Sequence, residues 1–280
     1  MKLGLSVSTF PTKFGPIVYS SSSLEELDLI LYKVSRFGYD GVDLFIDPTT
    51  ESKAIEIKKI FDKYHLDIAM LICIYLADMG VNLSSLDESQ RKKSVQIYSD
   101  QFKIAKILGA KLMPIGFIRG RIDVADDKAS YEQRLALSLT ELVKSAKEYG
   151  ITLCIEPINR YEINTLMGLD EVADFIRKQN LQDIKILPDL FHMNIEDKDL
   201  AKSLRNAGTM VAHMHVPDSN RKAPGWGHTD YVSILKVLID INYQGFLTIE
   251  AMPFGKEDEC AVQGTTYLKS LLENLKGKTK

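Results

Sequence analysis

Short apolar runs alternate with longer amphipathic stretches along the whole chain. The segment SSLEELDLILYKVSRFG is typical of the amphipathic stretches, because it opens with serines suited to capping a helix and ends at a glycine. The apolar runs have the length of buried strands and cover residues 2–8, 41–46, 67–74, 110–116, 151–156, 183–189, 210–216 and 246–251. Eight strands, each followed by a helix, predict an α/β fold: a single (β/α)8 TIM barrel.

A doubly wound open sheet is the alternative architecture. Such a sheet usually carries a glycine-rich phosphate loop after its first strand, and the segment found there, STFPTKFGP, matches neither GxGxxG nor GxxxxGK[ST]. No Ser/Gly/Pro-rich linker divides the 280 residues. We therefore expect one barrel-shaped catalytic domain over residues 1–280.

Composition limits the classes of partner. The formal net charge is −3 and there is no long basic run, so we expect a small-molecule ligand and neither nucleic acid nor a membrane surface. The N-terminal MKLGLSVSTF has no signal-peptide features, and we expect a cytoplasmic protein. Cys73, Cys154 and Cys260 have no metal-binding spacing, so we interpret them as reduced structural thiols.

Four successive strands, the fifth to the eighth, each end in a side chain able to bind a metal. In ITLCIE and FLTIEA the alternation of side chains puts Glu156 and Glu250 opposite the large apolar residues, facing the barrel interior. Asp189 ends the run KILPD, and in MVAHMHV His213 and His215 share a face. We assign His213, one step deeper, to core packing or to support of a metal ligand.

Glu156, Asp189, His215 and Glu250 are 33, 26 and 35 residues apart, which is the period of one strand–helix unit. Singly, each has an ordinary explanation as a helix N-cap, an ion-pair partner or a core histidine. Together, three carboxylates and an imidazole would repel one another and lose hydration unless a cation held them. Oxygen and nitrogen ligands without thiolate predict Mn²⁺, with Mg²⁺ or Co²⁺ as alternatives.

The motifs CIEPINRYE, LPDLFHMNIED, HMHVPDSNRKAPGWGH and LTIEAMP resemble those of xylose-isomerase-like sugar epimerases, specifically the D-tagatose and D-psicose (allulose) 3-epimerase group. With the strand order, the resemblance covers essentially the whole chain. IGFIRGR and HVPDSNRKAPGWGH are most similar to the 5-keto-L-gluconate epimerase branch. LPDLFH departs from the ketose pattern by a leucine where threonine is expected, which leaves the particular sugar open.

This resemblance implies roles for individual residues and for the assembly. The implied metal ligands are Glu156, Asp189, His215 and Glu250. The implied substrate contacts are Glu162, His192 and Arg221, which could otherwise be a loop ion-pair partner, a helix-start residue and a surface charge. Members of the group commonly form dimers or tetramers, so a homodimer or homotetramer is expected.

These residues predict an isomerase that inverts the carbon beside the carbonyl of a ketose or keto-sugar acid. One of Glu156 and Glu250 would remove a proton and the other would return it from the opposite face, through a cis-enediolate. Arg119 and Arg121 follow the fourth strand and are candidates to bind a substrate carboxylate, which would favour a keto-sugar acid. Ion pairing with the aspartates at 123, 126 and 127 explains the two arginines equally well.

Other functions share parts of this residue pattern. An aldose–ketose isomerase or a 3-keto-glycoside lyase could use the same metal and glutamates. A phosphodiesterase of the endonuclease IV type needs a histidine-rich zinc cluster, and this chain has only five histidines. A sugar-binding barrel without catalysis would leave the acidic cluster unexplained.

Overall fold

The computed structural model describes residues 1–12 and 15–277, and it has the predicted alternation of strands and helices. The strands are β1 (Lys2–Ser8), β2 (Tyr19–Ser20), β3 (Gly41–Phe45), β4 (Asp67–Ile72), β5 (Leu112–Ile115), β6 (Thr152–Ile155), β7 (Lys185–Ile186), β8 (Met214–His215) and β9 (Phe246–Ile249). The helices are α1 (Leu24–Arg36), α2 (Glu51–Lys63), α3 (Tyr75–Asp78), α4 (Glu88–Leu108), α5 (Lys128–Tyr149), α6 (Leu169–Lys178), α7 (Leu190–Glu196), α8 (Leu200–Ala207), α9 (Tyr231–Asp240) and α10 (Glu257–Gly277).

The strands are parallel and form a barrel. One sheet has the order β4-β3-β1-β9-β8 and the other β5-β6-β7. The bridges Ile186↔Val211 and Asp189↔His215 join β7 to β8, and β4 packs beside β5. The predicted (β/α)8 barrel is therefore confirmed, with β2 as a short addition that pairs with the end of β1.

The strands β7 and β8 are shorter than the predicted runs 183–189 and 210–216. Pro188 lies in the first run and has no backbone N–H, so it cannot donate to a regular ladder. Its carbonyl accepts a hydrogen bond from His215 N at 2.9 Å. The two strands therefore stay in register at the level of Asp189 although regular pairing has ended.

Local capping explains where the long helices begin and end. The Asp87 side chain accepts hydrogen bonds from Ser89 N and Gln90 N at the start of α4. The Gly150 backbone, with φ of 71°, ends α5 in the left-handed conformation that glycine adopts without strain. In α1, the helix whose opening serines were noted in the sequence, Ser23 accepts a hydrogen bond from Glu26 N, so the serine cap marks a real helix start.

The apolar side chains form two layers, as strand alternation predicts. Leu153 and Ile155 of β6 belong to the large core between strands and helices, whereas Cys154 packs inside the barrel in a smaller cluster with Phe45 and Met70. All three cysteines are free and buried, in agreement with their interpretation as structural thiols. None of the described helices is long and apolar enough to cross a membrane.

Candidate metal centre and active site

Four strand-end side chains converge at the carboxyl end of the barrel. Glu156 follows β6, Asp189 lies at the start of α7, His215 ends β8 and Glu250 follows β9, and one donor atom from each lies within 4.8 Å of the others. His215 Nδ1 is 3.4 Å from Glu156 Oε1, 3.7 Å from Asp189 Oδ2 and 3.5 Å from Glu250 Oε2. We call these four residues the outer cluster. The structure thus brings together all four predicted ligands.

The outer cluster is buried and incompletely hydrogen-bonded. Asp189 Oδ2 and His215 Nδ1 have no hydrogen-bond partner among the described residues. Burial raises the pKa of the Glu250 carboxyl to about 8, an effect that His215 opposes and that Glu156 and Asp189 reinforce. Unpaired buried donors and acceptors of this kind are costly, and the three oxygens and one nitrogen fit a divalent cation.

Asp189 uses its two carboxylate oxygens differently. Oδ1 accepts hydrogen bonds from Phe191 N at 2.7 Å and from His192 N at 3.4 Å, which caps α7. Oδ2 is left facing His215 in the outer cluster. Asp189 can therefore cap α7 and still serve as a candidate metal ligand, two roles that the sequence presents as alternatives.

A second polar group, which we call the inner cluster, lies one layer deeper and consists of Asp43, His213 and Thr248. Asp43 Oδ2 is 2.7 Å from His213 Nε2 and 3.0 Å from His215 Nε2, and Thr248 Oγ1 donates to Asp43 Oδ1 at 3.1 Å. All of these side chains are buried. Asp43 was not predicted as a site residue, although the alternation in GVDLFI places this carboxylate on the inward face.

A cavity of about 260 Å³ opens above the outer cluster. The predicted substrate contacts Glu162, His192 and Arg221 line it together with Glu156 and Glu250. The rest of its wall is mainly apolar and includes Phe45, Ile72, Ile74, Phe117, Ile118 and Ile158. The cavity therefore has a polar, charged side beside the outer cluster and an apolar side formed largely around β3 to β5.

Arg221 is held in an unusual conformation on the polar side. Its Nη1 donates to Glu162 Oε1 at 3.1 Å, its guanidinium lies 4.7 Å from the centre of the Phe191 ring, and its Nε has no hydrogen-bond partner among the described residues. The backbone φ of Arg221 is +61°, a left-handed conformation that is uncommon outside glycine. Backbone strain of this kind is typical of functional sites, where the surrounding structure holds a side chain in a required position.

His192 is oriented by Asn159, which was not predicted as a site residue. Asn159 Nδ2 donates to His192 Nδ1 at 2.7 Å, and Asn159 Oδ1 accepts from Tyr161 N at 3.0 Å, which fixes the orientation of the amide. His192 Nδ1 is therefore the acceptor and Nε2 carries the proton. Asn159 lies in the motif CIEPINRYE, but the sequence does not show that its side chain contacts His192.

The prediction that Arg119 binds a substrate carboxylate is wrong. Arg119 is fully buried, and its guanidinium donates to the backbone carbonyls of Gly116, Glu156, Thr165 and Leu166. The 3₁₀ turn Phe117–Arg119 directs this side chain into the protein, away from the cavity. Its bond to the Glu156 carbonyl, at 2.9 Å, instead supports the backbone of a predicted ligand.

Arg121 does not reach the cavity wall either. Its side chain is exposed, is not among the described residues that line the cavity, and donates to the backbone carbonyl of Glu162. Within residues 1–12 and 15–277, neither Arg119 nor Arg121 forms an ion pair with the three nearby aspartates, and Asp126 pairs with Arg134. The ion pairs with these aspartates are therefore not formed; backbone carbonyls engage Arg119, and one carbonyl accepts from Arg121.

The fold and the outer cluster define an α/β-barrel protein with a candidate metal centre at the carboxyl end of its strands. The family described as xylose isomerase-like TIM barrels matches residues 31–271. The chain belongs to this family. The predicted resemblance to the ketose 3-epimerase group is confirmed as well, whereas the 5-keto-L-gluconate branch stays a prediction.

Individual relatives agree with this assignment. The chain is 36% identical over 233 residues to a D-psicose 3-epimerase of Agrobacterium fabrum (strain C58), covering 80% of this chain and 78% of the relative. It is 27% identical over 258 residues to an L-ribulose 3-epimerase of Mesorhizobium japonicum, covering 91% and 85%. A solved structure of an L-ribulose 3-epimerase superposes with a TM-score of 0.85 at 22% identity, covering 99% of this chain and 96% of the other. The predicted enzyme class, isomerase, is confirmed.

Proposed function

We propose that this chain is a sugar epimerase that depends on a divalent cation and inverts the carbon beside the carbonyl of a ketose. The observation that carries the proposal is that Glu156 and Glu250 belong to the outer cluster and also line the cavity above it. The names of the relatives, D-psicose 3-epimerase and L-ribulose 3-epimerase, support a ketose as the substrate.

The chemistry requires acid–base groups and a source of positive charge. A hydrogen on the carbon beside a carbonyl is a very weak acid, and a bound cation would supply the positive charge that stabilises the enediolate left by its removal. Glu156 follows β6 and Glu250 follows β9, three strands further around the barrel, so their carboxylates approach the cavity floor from different sides. One glutamate removes the proton and the other returns it to the opposite face.

The ligand set favours a particular kind of metal. Three carboxylates and one imidazole are hard or borderline donors, and all three described cysteines are buried outside the cluster. This composition suits Mn²⁺, with Mg²⁺ and Co²⁺ as alternatives, more than a thiolate-preferring ion. Asp189 and His215 would hold the cation without transferring protons.

Three further side chains would bind and orient the sugar. Arg221 and His192 Nε2 are the hydrogen-bond donors on the polar side of the cavity, and Glu162 accepts from Arg221 while lining the same space. The Asn159 amide fixes which nitrogen of His192 carries the proton. These groups would bind hydroxyl and carbonyl oxygens of the substrate and hold the reacting carbon between the two glutamates.

The described cavity wall favours an uncharged ketose over a keto-sugar acid. Its arginine, Arg221, is already paired with the Glu162 carboxylate, and Arg119 and Arg121 are engaged by backbone carbonyls. The wall opposite Arg221 is mainly apolar and would contact the C–H groups of the sugar. The charge of Arg221 is already balanced by Glu162, so a substrate carboxylate would lose hydration without meeting an uncompensated cation on the described cavity wall.

Incubation of the Mn²⁺-loaded protein with ketoses, keto-sugar acids and a 3-keto-glycoside in deuterated water tests the proposal. We expect deuterium at the carbon beside the carbonyl together with inversion of that carbon, and faster turnover of a ketose than of any keto acid. Isomerisation to an aldose, or elimination of an aglycone, would assign the site to an isomerase or a lyase instead. Faster turnover of a keto acid would contradict the uncharged substrate class.

A further inference from the structure

Asp43 lies between two histidines at the centre of the barrel. Its Oδ2 is 2.7 Å from His213 Nε2 and 3.0 Å from His215 Nε2, although Asp43 is 170 and 172 residues away from them in sequence. Both are hydrogen-bond distances. Because an ionised carboxylate only accepts hydrogen bonds, the Nε2 atoms of both imidazoles must carry protons.

This arrangement determines which nitrogen of His215 is available to the outer cluster. Since Nε2 carries the proton bonded to Asp43, Nδ1 of a neutral His215 carries the lone pair. Nδ1 is also the atom that lies 3.4 to 3.7 Å from the carboxylates of Glu156, Asp189 and Glu250. The contact to Asp43 therefore leaves Nδ1 as the nitrogen through which His215 would bind a metal.

The other contacts of Asp43 hold its carboxylate in place. Thr248 Oγ1 donates to Asp43 Oδ1 at 3.1 Å, and the register between β1 and β9 sets Thr248 beside Gly4. A Cβ atom at Gly4 would collide with Thr248 Oγ1, so the absence of a side chain there leaves the space that Thr248 occupies. Asp43 is fully buried and is not among the residues that line the cavity, so it cannot touch a substrate there.

We infer that Asp43 is a positioning residue for the metal centre: it holds His215 by Nε2 so that Nδ1 points at the cation, while His213 and Thr248 hold Asp43. The inference deepens the proposed function and rests on its metal dependence. A purely structural Asp43 would contribute to folding stability but would leave the metal affinity of the folded protein unchanged.

Two variants of Asp43 and a matched control separate these roles. Asp43→Asn keeps the shape and one acceptor oxygen but loses the charge, and Asp43→Ala loses both. Asp47→Asn is the control, because Asp47 lies just beyond β3 and pairs with Lys53, away from both clusters. Mn²⁺ affinity is measured by calorimetry on each folded protein, and thermal unfolding of the metal-free proteins records stability separately.

We expect Asp43→Asn to weaken Mn²⁺ binding by about 10- to 100-fold, Asp43→Ala to weaken it further, and Asp47→Asn to leave it within about twofold. An Asp43→Asn protein that is less stable but binds Mn²⁺ as tightly as the unaltered chain would overturn the inference alone. An unaltered chain that bound no Mn²⁺ would overturn the proposed metal dependence, and the inference with it.

A spectroscopic measurement on the unaltered protein does not require a variant to fold. Long-range ¹H–¹⁵N correlation of the ¹⁵N-histidine-labelled, Zn²⁺-loaded chain reports which ring nitrogen carries a proton. We expect a protonated Nε2 and a metal-bound Nδ1 for His215, and a protonated Nε2 for His213. A metal-bound Nε2 in His215 would overturn the inference.

Discussion

His213 and His215 lie two residues apart on the same face of the same strand region, share Asp43 as a partner, and yet face different surroundings. His213 belongs to the inner cluster, where its Nε2 lies against Asp43 and Thr248; its Nδ1 has no hydrogen-bond partner among the described residues, but Asp43 is the carboxylate this imidazole faces. His215 also faces the outer cluster, where three carboxylates approach its Nδ1 without a hydrogen bond. The difference teaches that burial of charge alone does not mark a reactive site. Several buried polar groups that converge on one point without hydrogen-bonding to one another do so, as around His215 Nδ1, because the cost of burying them together has to be offset by a ligand.

The largest expected effect comes from the glutamates of the outer cluster. Glu156→Gln and Glu250→Gln keep the size of the side chain but remove its proton-transfer ability, so turnover should fall by about 10²- to 10⁴-fold in each. Rates of epimerisation and of deuterium incorporation measure the effect. Glu148→Gln, an exposed residue of α5, is the control and should keep normal turnover. Near-normal turnover in both outer-cluster variants would contradict the two-glutamate mechanism.

The metal should stabilise the protein by binding to the side chains of the outer cluster. At 100 times its dissociation constant, Mn²⁺ should add about 2.7 kcal/mol to the free energy of unfolding and raise the Tm by roughly 5–10 °C. Scanning calorimetry with and without Mn²⁺ measures the shift. His215→Gln should abolish the shift, since it removes a predicted ligand.

His213→Phe sharpens the same comparison. The phenyl ring can still stack on Phe246, but Asp43 loses one of its donors, so the free energy of unfolding should fall by about 1–3 kcal/mol. Its Mn²⁺-dependent Tm shift should persist. If His213→Phe lost the shift and His215→Gln kept it, the division into two clusters would be reversed.

Arg119 tests whether a buried cation outside both clusters is structural. Arg119→Gln leaves several buried carbonyls without a donor, so the free energy of unfolding should fall by about 2 kcal/mol, as measured by urea denaturation. The exposed Arg121→Gln should change it by less than about 0.5 kcal/mol. If Arg119→Gln lost turnover of keto acids but not of ketoses, Arg119 would contact a substrate carboxylate after all, contrary to the structure.

The smallest effect concerns Asp197, a carboxyl remote from both clusters. Burial raises its pKa to about 6, so the folded state binds this proton more tightly than the unfolded state does. Its contribution to stability is therefore complete below about pH 4 and is lost as the pH rises through about 6. The free energy of unfolding of Asp197→Asn, minus that of the unaltered chain, should therefore rise by on the order of 1 kcal/mol from pH 4 to pH 8. Denaturation of both proteins at both pH values measures this difference. A stability difference that does not change with pH would contradict this cause.

Strand alternation accounts for what the sequence could predict. A period of two is preserved along each strand, so Glu156 and Glu250 could be assigned to the barrel interior from their own segments. Asp43 could be assigned to the same interior, but its partners lie 170 residues further on, and no local pattern indicates which inward side chains meet across a barrel. The burial of Arg119 could not be predicted, because spacing along the chain does not reveal the 3₁₀ turn Phe117–Arg119 or the backbone carbonyls that its guanidinium meets.

The most direct test of the account is anomalous diffraction at the manganese edge from crystals grown with Mn²⁺. We expect one strong peak within coordination distance of Glu156, Asp189, Glu250 and His215 Nδ1, with no peak between Asp43 and His213. A peak in the inner cluster, or a fully occupied manganese site elsewhere with the outer cluster empty, would contradict it.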